Sequence, residues 1–238
     1  MSLLPGEKEV EVQAGGVTLY GIAGGMDGSK GWVIFAHGSG SGRHSPRNHW
    51  IASRLQARGF STLLVDLLTD RESLDRRNVF DIELLSERLL NARYWIEHDS
   101  PDRSPHPPPI AYFGSSTGAA AALLAAAKEP SNVFAVVSRG GRPDLARGFL
   151  NSVQAPTLLL VGGSDEGIFE FNRESFKRLK CEKGIRIIPG AGHLFEEPGA
   201  LEAVSDLTLD WMLSHLPVTE PGKQKGQDFL RDRPSSRA

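Results

Sequence analysis

Three side chains of this sequence could together perform nucleophilic catalysis: Ser116, Asp165 and His193. Ser116 is the central residue of the pentapeptide Gly-Ser-Ser-Thr-Gly at 114–118, which has the G-x-S-x-G form. A serine hydroxyl is a weak nucleophile until a base removes its proton, and a third group must hold that base in place. We therefore predict a catalytic triad in which His193 is the base for Ser116 and Asp165 orients the imidazole.

The predicted strand and helix on either side of Ser116 indicate that the pentapeptide carries a nucleophile. An apolar segment, 110–113, ends just before it, and an alanine-rich helical pattern, Thr117–Lys128, begins just after it. A serine on a sharp strand-to-helix turn needs small neighbours, which Gly114 and Gly118 provide. The alternative is that these glycines and serines merely start and cap a helix. The strand–turn–helix context favours the nucleophile.

Asp165 and His193 each follow a predicted strand, at 157–161 and 185–188. Open α/β sheets place their sites just outside the carboxyl ends of their strands, so both side chains are expected at the edge where Ser116 lies. Taken alone, a histidine after a glycine turn is typical of a surface loop, and an aspartate after a strand is typical of a helix cap. Alternatives for the acid are Glu166, Glu196 and Glu197.

The glycine-rich segment 37–42 follows another predicted strand. A loop at this position can donate one backbone N–H to an oxyanion hole, and the residue after the nucleophile can donate the second. We assign these donors to Ser39 and Thr117. A phosphate-binding loop is the alternative, but neither G-x-G-x-x-G nor G-x-x-x-x-G-K-[ST] occurs in the segment.

Five further side chains follow the ends of predicted strands: Arg43, His44, Arg47, Arg139 and Arg142. They could orient an anionic group of a substrate. The alternative, which we favour from sequence, is that they are solvated loop charges that fix the shape of their loops.

The composition indicates a chain without a bound cofactor or metal. The seven histidines are scattered, with no H-E-x-x-H motif, and a single cysteine excludes an intrachain disulfide framework. The net charge of -2 provides no basic field for nucleic acid. No long apolar run or leader-like segment is visible, so we expect a cytoplasmic protein without membrane attachment. The expected partner is a small-molecule ester, and the oligomeric state is left open.

Short apolar runs alternate with helical patterns, which predicts an α/β fold with an eight-stranded, mostly parallel sheet. The first two strands are predicted to form an antiparallel hairpin. We expect one domain over 1–216 and a disordered polar tail over 217–238. The polar stretch 69–78 is predicted to be a loop, and the proline-rich stretch 98–109 to be irregular. The predicted strands are 7–13, 17–23, Trp32–Ala36, 62–66, 110–113, 133–138, 157–161 and 185–188. The predicted helices are one that opens at Ser45-Pro46 and ends near 58, one that ends near 97, Thr117–Lys128, 171–179 and 201–215.

The sequence resembles the α/β-hydrolase superfamily and, within it, the dienelactone-hydrolase-like group. The resemblance covers about 7–216 and rests on the segments 37–48, 114–118 and 138–144, together with Gly192-His193. It implies the α/β-hydrolase fold without a substantial cap domain, and the order Ser, Asp, His is that of this superfamily. True dienelactone hydrolases carry a cysteine where Ser116 stands. Because of this departure, the resemblance does not imply the hydrolysis of dienelactones themselves. It implies ester or lactone hydrolysis through an acyl-enzyme.

The sequence thus predicts a serine hydrolase of the carboxylesterase type, with no cofactor. Only 67–80 and 98–109 could partly cover the site, so we expect an open, shallow pocket that favours short acyl groups. Two alternatives remain open. The same triad could serve a thioesterase or acyltransferase, or the fold could be a non-catalytic binding protein for a small molecule.

Overall fold

The computed structural model describes residues 3–25, 28–100 and 107–217, and within them it contains an eight-stranded sheet. All eight predicted strands are present, with ends that differ from the prediction by at most two residues. They are β1 Lys8–Ala14, β2 Val17–Gly24, β3 Trp32–Ala36, β4 Ser61–Val65, β5 Ile110–Ser115, β6 Val133–Arg139, β7 Thr157–Gly162 and β8 Lys183–Ile188.

The strand order across the sheet is β1-β2-β4-β3-β5-β6-β7-β8. β1 and β2 are antiparallel to each other, and β2 is antiparallel to β4, whereas all the remaining pairs are parallel. The mostly parallel sheet predicted from sequence is confirmed. The carboxyl ends of β3, β5, β6 and β7 consequently meet at one edge of the sheet.

Seven helices flank the sheet in the described part of the chain. They are α1 Pro46–Gln56, α2 Asp70–Ser73, α3 Arg76–Val79, α4 Ile82–His98, α5 Thr117–Lys128, α6 Glu166–Arg178 and α7 Ala200–His215. Two short 3-10 segments, Pro143–Ala146 and Leu150–Ser152, lie between β6 and β7. None of the helices in these residues has both the length and the apolar character needed to cross a bilayer.

The central strands are buried on both faces, as parallel strands covered by helices must be. On one face Trp32 and Tyr112 pack with residues of α4 and α5. On the other face Phe35 and Phe113 pack with residues of α1 and α7, and their ring centroids are 5.0 Å apart. The strands are therefore packed on both faces beneath the edge that carries the polar loops.

The prediction of a loop over 69–78 is wrong. Two single-turn helices lie there, each begun by a local cap: Thr69 and Glu72 form a reciprocal capping box, and the Asp75 carboxylate accepts from the Arg77 amide. Such turns bury no residue, so they leave no apolar periodicity in the sequence.

The helix predicted over 171–179 begins five residues earlier, at Glu166. Its first turn contains Gly167 and no buried side chain, so that turn gives no apolar signal. The two 3-10 segments were not predicted. The stretch 98–109 is described only in part, and the predicted disordered tail lies, from residue 218 onward, outside the described residues.

Candidate active site

Ser116 stands between β5 and α5 in a strained backbone conformation, with φ 50 and ψ -122. Such a conformation is costly for a residue with a Cβ and persists only where the surrounding structure enforces it. A Cβ on Gly118 would lie 2.2 Å from the carbonyl oxygen of Ala36, and a Cβ on Gly114 would lie 2.4 Å from the Cα of Ala119. The turn therefore requires glycine at both positions.

The imidazole of His193 is joined to the carboxylate of Asp165, with 2.7 Å between Nδ1 and Oδ2. The Asp165 side chain is 15% exposed and that of His193 is 37% exposed. Asp165 stands at the N-cap position of α6, yet its side chain makes no capping hydrogen bond. Its carboxylate is directed to the histidine instead.

Backbone contacts hold the loops of Asp165 and His193 together. The amide of Gly163 donates to the carbonyl of Ile188 at 2.8 Å, and the amide of Ser164 donates to the carbonyl of Ala191 at 2.9 Å. A Cβ on Gly162 would lie 2.4 Å from the Ala191 carbonyl oxygen, so this close approach needs glycine.

The other candidate acids have different positions. Glu197 accepts a hydrogen bond from the amide of Gly192 at 2.9 Å, which fixes the histidine loop. Glu196 is paired with Arg47 at 2.5 Å. Glu166 is exposed in the first turn of α6. Of the four carboxylates considered from sequence, the one in contact with the imidazole is Asp165.

Ser116 and His193 line the same cavity, whose volume is about 890 Å³. The hydroxyl of Ser116 makes no hydrogen bond to the imidazole in this structure. In the absence of substrate, hydrogen bonds of this kind are often long and tighten only when the substrate binds. The volume lies within the usual range for small-molecule sites.

Polar loops form one part of the cavity wall, and apolar side chains of Leu68, Val79, Leu85 and Leu194 also line it. The segment 67–80, expected from sequence to cover the site, contributes Leu68, Asp70, Ser73 and Val79 to the lining. No described residue of 98–109 lines it.

The two candidate oxyanion donors, Ser39 and Thr117, also line this cavity. Thr117 is the first residue of α5, so its amide has no partner within the helix and is available to an anion. Ser39 follows β3 in an exposed turn that begins at Gly38.

His37 and Asp66 hold the glycine-rich loop in place, and sequence reasoning did not select either of them. Nδ1 of His37 donates to the carbonyl of Gly38 at 3.0 Å, and Nε2 accepts from the amide of Leu67 at 3.0 Å. Burial lowers the pKa of His37, which agrees with a neutral ring that uses one nitrogen as donor and the other as acceptor.

Asp66 accepts from the backbone amide of Arg43 at 2.6 Å and is paired with the Arg43 guanidinium. The signal that could have revealed His37 and Asp66 is their position. Each directly follows one of two neighbouring strands, β3 and β4.

The structure divides the five side chains that sequence offered for substrate binding. Arg43, His44, Arg47 and Arg139 line the cavity, whereas Arg142 does not. Arg142 is bound by Asp144 at 2.8 Å, and its guanidinium carbon lies 4.5 Å from the ring centroid of Phe171. The structure therefore places Arg142, which sequence offered for substrate binding, outside the cavity, where a local acid two residues away holds it.

Within residues 3–25, 28–100 and 107–217, no three His, Cys, Asp or Glu side chains are grouped so that they could hold a metal ion. Cys181 is a partly buried free thiol whose Sγ lies 3.7 Å from the hydroxyl of Thr157. Burial raises the pKa of this thiol, which keeps it protonated at neutral pH.

The sheet order, the strained serine turn and the Asp–His pair at the carboxyl edge define this chain as an α/β-hydrolase fold. A dienelactone hydrolase of Anabaena variabilis is 49% identical, with a TM-score of 0.83, over 89% of this chain and 98% of that chain. The chain belongs to the dienelactone-hydrolase-like group of α/β-hydrolases.

More distant structures share the fold. An esterase of Pyrococcus furiosus is 18% identical, with a TM-score of 0.71, over 89% of this chain and 93% of that chain. A dienelactone hydrolase-like promiscuous phosphotriesterase from metagenomic libraries is 20% identical, with a TM-score of 0.69, over 88% of this chain and 98% of that chain. These two structures show the shared fold, and the support for an enzyme of the hydrolase type comes from the Anabaena protein.

Two curated proteins of Mycobacterium tuberculosis, provisionally named phosphoribosyl transferases, are 51% identical over 210 residues. The match covers 88% of this chain but 47% of each relative, so the chain spans about half the length of these proteins. No protein-family model matches the chain.

Proposed function

We propose that this chain is a serine hydrolase that cleaves carboxylic esters or lactones of small molecules through an acyl-enzyme. The observation that carries the proposal is the 2.7 Å contact between His193 and Asp165 in the cavity that Ser116 also lines. The strained serine turn supports it further, because strain of this kind concentrates at functional sites.

Catalysis would proceed in two halves. Nε2 of His193 accepts the Ser116 proton while Oγ attacks the ester carbonyl carbon, and the amides of Ser39 and Thr117 stabilise the resulting oxyanion. The imidazolium then protonates the leaving alcohol as the bond from the carbonyl carbon to the leaving oxygen breaks. Water, deprotonated by the same imidazole, attacks the acyl group, releases the acid and restores Ser116. Asp165 holds the ring and stabilises its charge.

The cavity supports small substrates. The cavity has a volume of about 890 Å³, and the single-turn helices α2 and α3 bound it on one side. Its lining includes the apolar residues Leu68, Val79 and Leu85. A short acyl chain fits this space, whereas a long lipid chain would leave it and remain exposed to water.

We do not propose phosphoribosyl transfer as the activity of this chain. The match to those relatives covers 47% of their length, whereas the match to the Anabaena hydrolase covers 98% of that chain. Diphosphate release from 5-phosphoribosyl 1-diphosphate tests the transferase alternative directly. We expect none above the uncatalysed rate.

The decisive experiment is a panel of 4-nitrophenyl esters of increasing acyl length, with a simple lactone, assayed for wild type and Ser116→Ala. We expect hydrolysis that favours the short esters and falls on the order of 10⁶-fold in Ser116→Ala. A fluorophosphonate probe should label wild type and not the variant. Ser164, an exposed serine next to Asp165, provides a matched control. Ser164→Ala should hydrolyse the esters at wild-type rates. Equal hydrolysis by Ser116→Ala would refute the proposal.

A further inference from the structure

The guanidinium of Arg139 is buried in the cavity wall, and no acid among the described residues serves as its counter-ion. The residue is 6% exposed, and neither Nε nor Nη1 has a hydrogen-bond partner among the described residues. The charged group that acts on it is Arg47, a second cation. Burial, and next the charge of Arg47, lower the pKa of Arg139 to about 10, so the side chain is still cationic at neutral pH.

An unpaired buried cation lowers the stability of the fold, because the guanidinium loses its hydrating water and gains no protein counter-charge in exchange. The other arginines of the cavity do not share this condition. Arg43 is paired with Asp66, and Arg47 is paired with Glu196. Asp70 on α2 also lines the cavity, but it makes no ion pair with Arg139.

Arg139 is fixed directly beside the nucleophile. It is the last residue of β6 and pairs with Ser115 across the sheet. Its carbonyl accepts a hydrogen bond from the amide of Ser116 at 3.3 Å. Its guanidinium is consequently no further from the Ser116 turn than the length of one side chain.

We propose that Arg139 binds an oxyanion of the substrate, so that the preferred esters carry a carboxylate or phosphate group a few bonds from the scissile carbonyl. The planar guanidinium presents parallel N–H groups that match either anion, and the bound anion would supply the missing counter-charge. The inference deepens the proposed hydrolase function and rests on it for the position of the reacting carbonyl.

The kinetic test compares three 4-nitrophenyl esters of matched length. They are the neutral valerate, the glutarate half-ester with a terminal carboxylate, and the 4-phosphonobutyrate ester with a terminal phosphonate. We expect wild type to prefer an anionic ester, and the larger preference identifies which anion the site takes. Arg139→Met should reduce the ratio of anionic to neutral kcat/KM by about 10- to 100-fold, the usual effect of losing a charged hydrogen bond.

Arg142→Met is the matched control, because it removes an arginine close in sequence whose side chain lies outside the cavity. It should leave the ratio of anionic to neutral kcat/KM as in wild type. An unchanged ratio in Arg139→Met, or a wild type that prefers the valerate, would overturn the inference while leaving the hydrolase proposal intact.

A binding measurement separates this inference from the proposed activity. Titration calorimetry with glutarate and with inorganic phosphate is performed on Ser116→Ala and on the double variant Ser116→Ala/Arg139→Met, both checked for native circular dichroism. We expect the double variant to bind the preferred anion at least about tenfold more weakly. If anion binding depends on Arg139 but the wild type hydrolyses no ester, the hydrolase proposal is rejected and the anion site is retained. Equal binding by the two variants, or no binding by either, would overturn the anion site.

Discussion

Nδ1 of His193 lies 2.7 Å from Oδ2 of Asp165, although 28 residues separate the two in the chain. The pair is held by the loops after β7 and β8, whose backbones are hydrogen-bonded to each other. This contact distinguishes Asp165 from three nearby glutamates and determines which ring nitrogen faces away from the acid. In the proposed mechanism, Nε2 is the ring nitrogen that accepts the serine proton.

Asp165→Asn should retain the shape of the loop but lose the carboxylate that stabilises the imidazolium. An amide can also hold the ring in the wrong tautomer. We expect kcat for a short ester to fall on the order of 10⁴-fold, with little change in the thermal midpoint. Steady-state kinetics beside a thermal melt measures both quantities.

The control for this variant is Glu166→Gln, which neutralises the adjacent exposed carboxylate. It should keep kcat near the wild-type value. A larger loss of kcat in Glu166→Gln than in Asp165→Asn would contradict Asp165 as the acid that holds the imidazole.

Gly118→Ala should destabilise the fold severely. The added methyl would lie 2.2 Å from the Ala36 carbonyl oxygen and 2.5 Å from that of His37, and neither backbone atom can move without disturbing the sheet. We expect the free energy of unfolding to fall by at least about 3 kcal/mol. Urea denaturation gives this value directly.

Gly167→Ala is the matched comparison, because a Cβ there meets no atom within 4 Å and the residue lies in α6. It should stabilise the protein by roughly 0.5–1 kcal/mol, since alanine loses less backbone entropy than glycine in a helix. Equal destabilisation by the two variants would contradict the close approach at Gly118.

His37 should make the fold lose stability in mild acid. Burial lowers its pKa in the folded chain, so below the ordinary value of about 6.5 the unfolded chain binds the proton first. Stability contributed by the neutral ring is complete above that pH and is lost as the pH falls towards the folded pKa, at up to about 1.4 kcal/mol per pH unit. Urea denaturation between pH 7.5 and pH 5 measures the slope.

His37→Gln removes the titrating group and keeps an acceptor for the Leu67 amide, so the slope in acid should become shallower. The exposed His44 lines the same cavity, and His44→Gln should leave the slope as in wild type. A steeper slope in His37→Gln would contradict a neutral His37.

Arg139→Met should be more stable than wild type when no anion is present. Replacing an unpaired buried charge by an apolar side chain of similar length stabilises a protein by about 1 kcal/mol or more. In a domain of this size that raises Tm by at least about 2–4 °C. Thermal melts with and without glutarate or phosphate provide the measurement. The preferred anion should raise Tm in wild type and have no effect on the variant, and a lower Tm for ligand-free Arg139→Met would contradict an unpaired guanidinium.

The elements that carry the site were predictable because their signals are local. β3 and α5 lie within the predicted bounds, since an apolar run and a helical pattern each arise from adjacent residues. The small residues around Ser116 were likewise readable, because the turn demands them within one pentapeptide. Single-turn helices such as α2 were missed because a cap and four residues bury nothing that a periodicity could reveal.

The sequence by itself determined the succession of the eight strands and the five longer helices along the chain, the turn that carries Ser116, and a small set of acids and bases at one sheet edge. Tertiary structure alone decided which charges are paired. Arg47 meets Glu196 across 149 residues of sequence and Arg43 meets Asp66 across 23, whereas Arg139 meets no acid in the described part of the chain. Secondary structure follows from the periodicity of neighbouring residues, but a charge is neutralised only by whatever the fold brings within a few ångströms, and that distance is not encoded in local spacing.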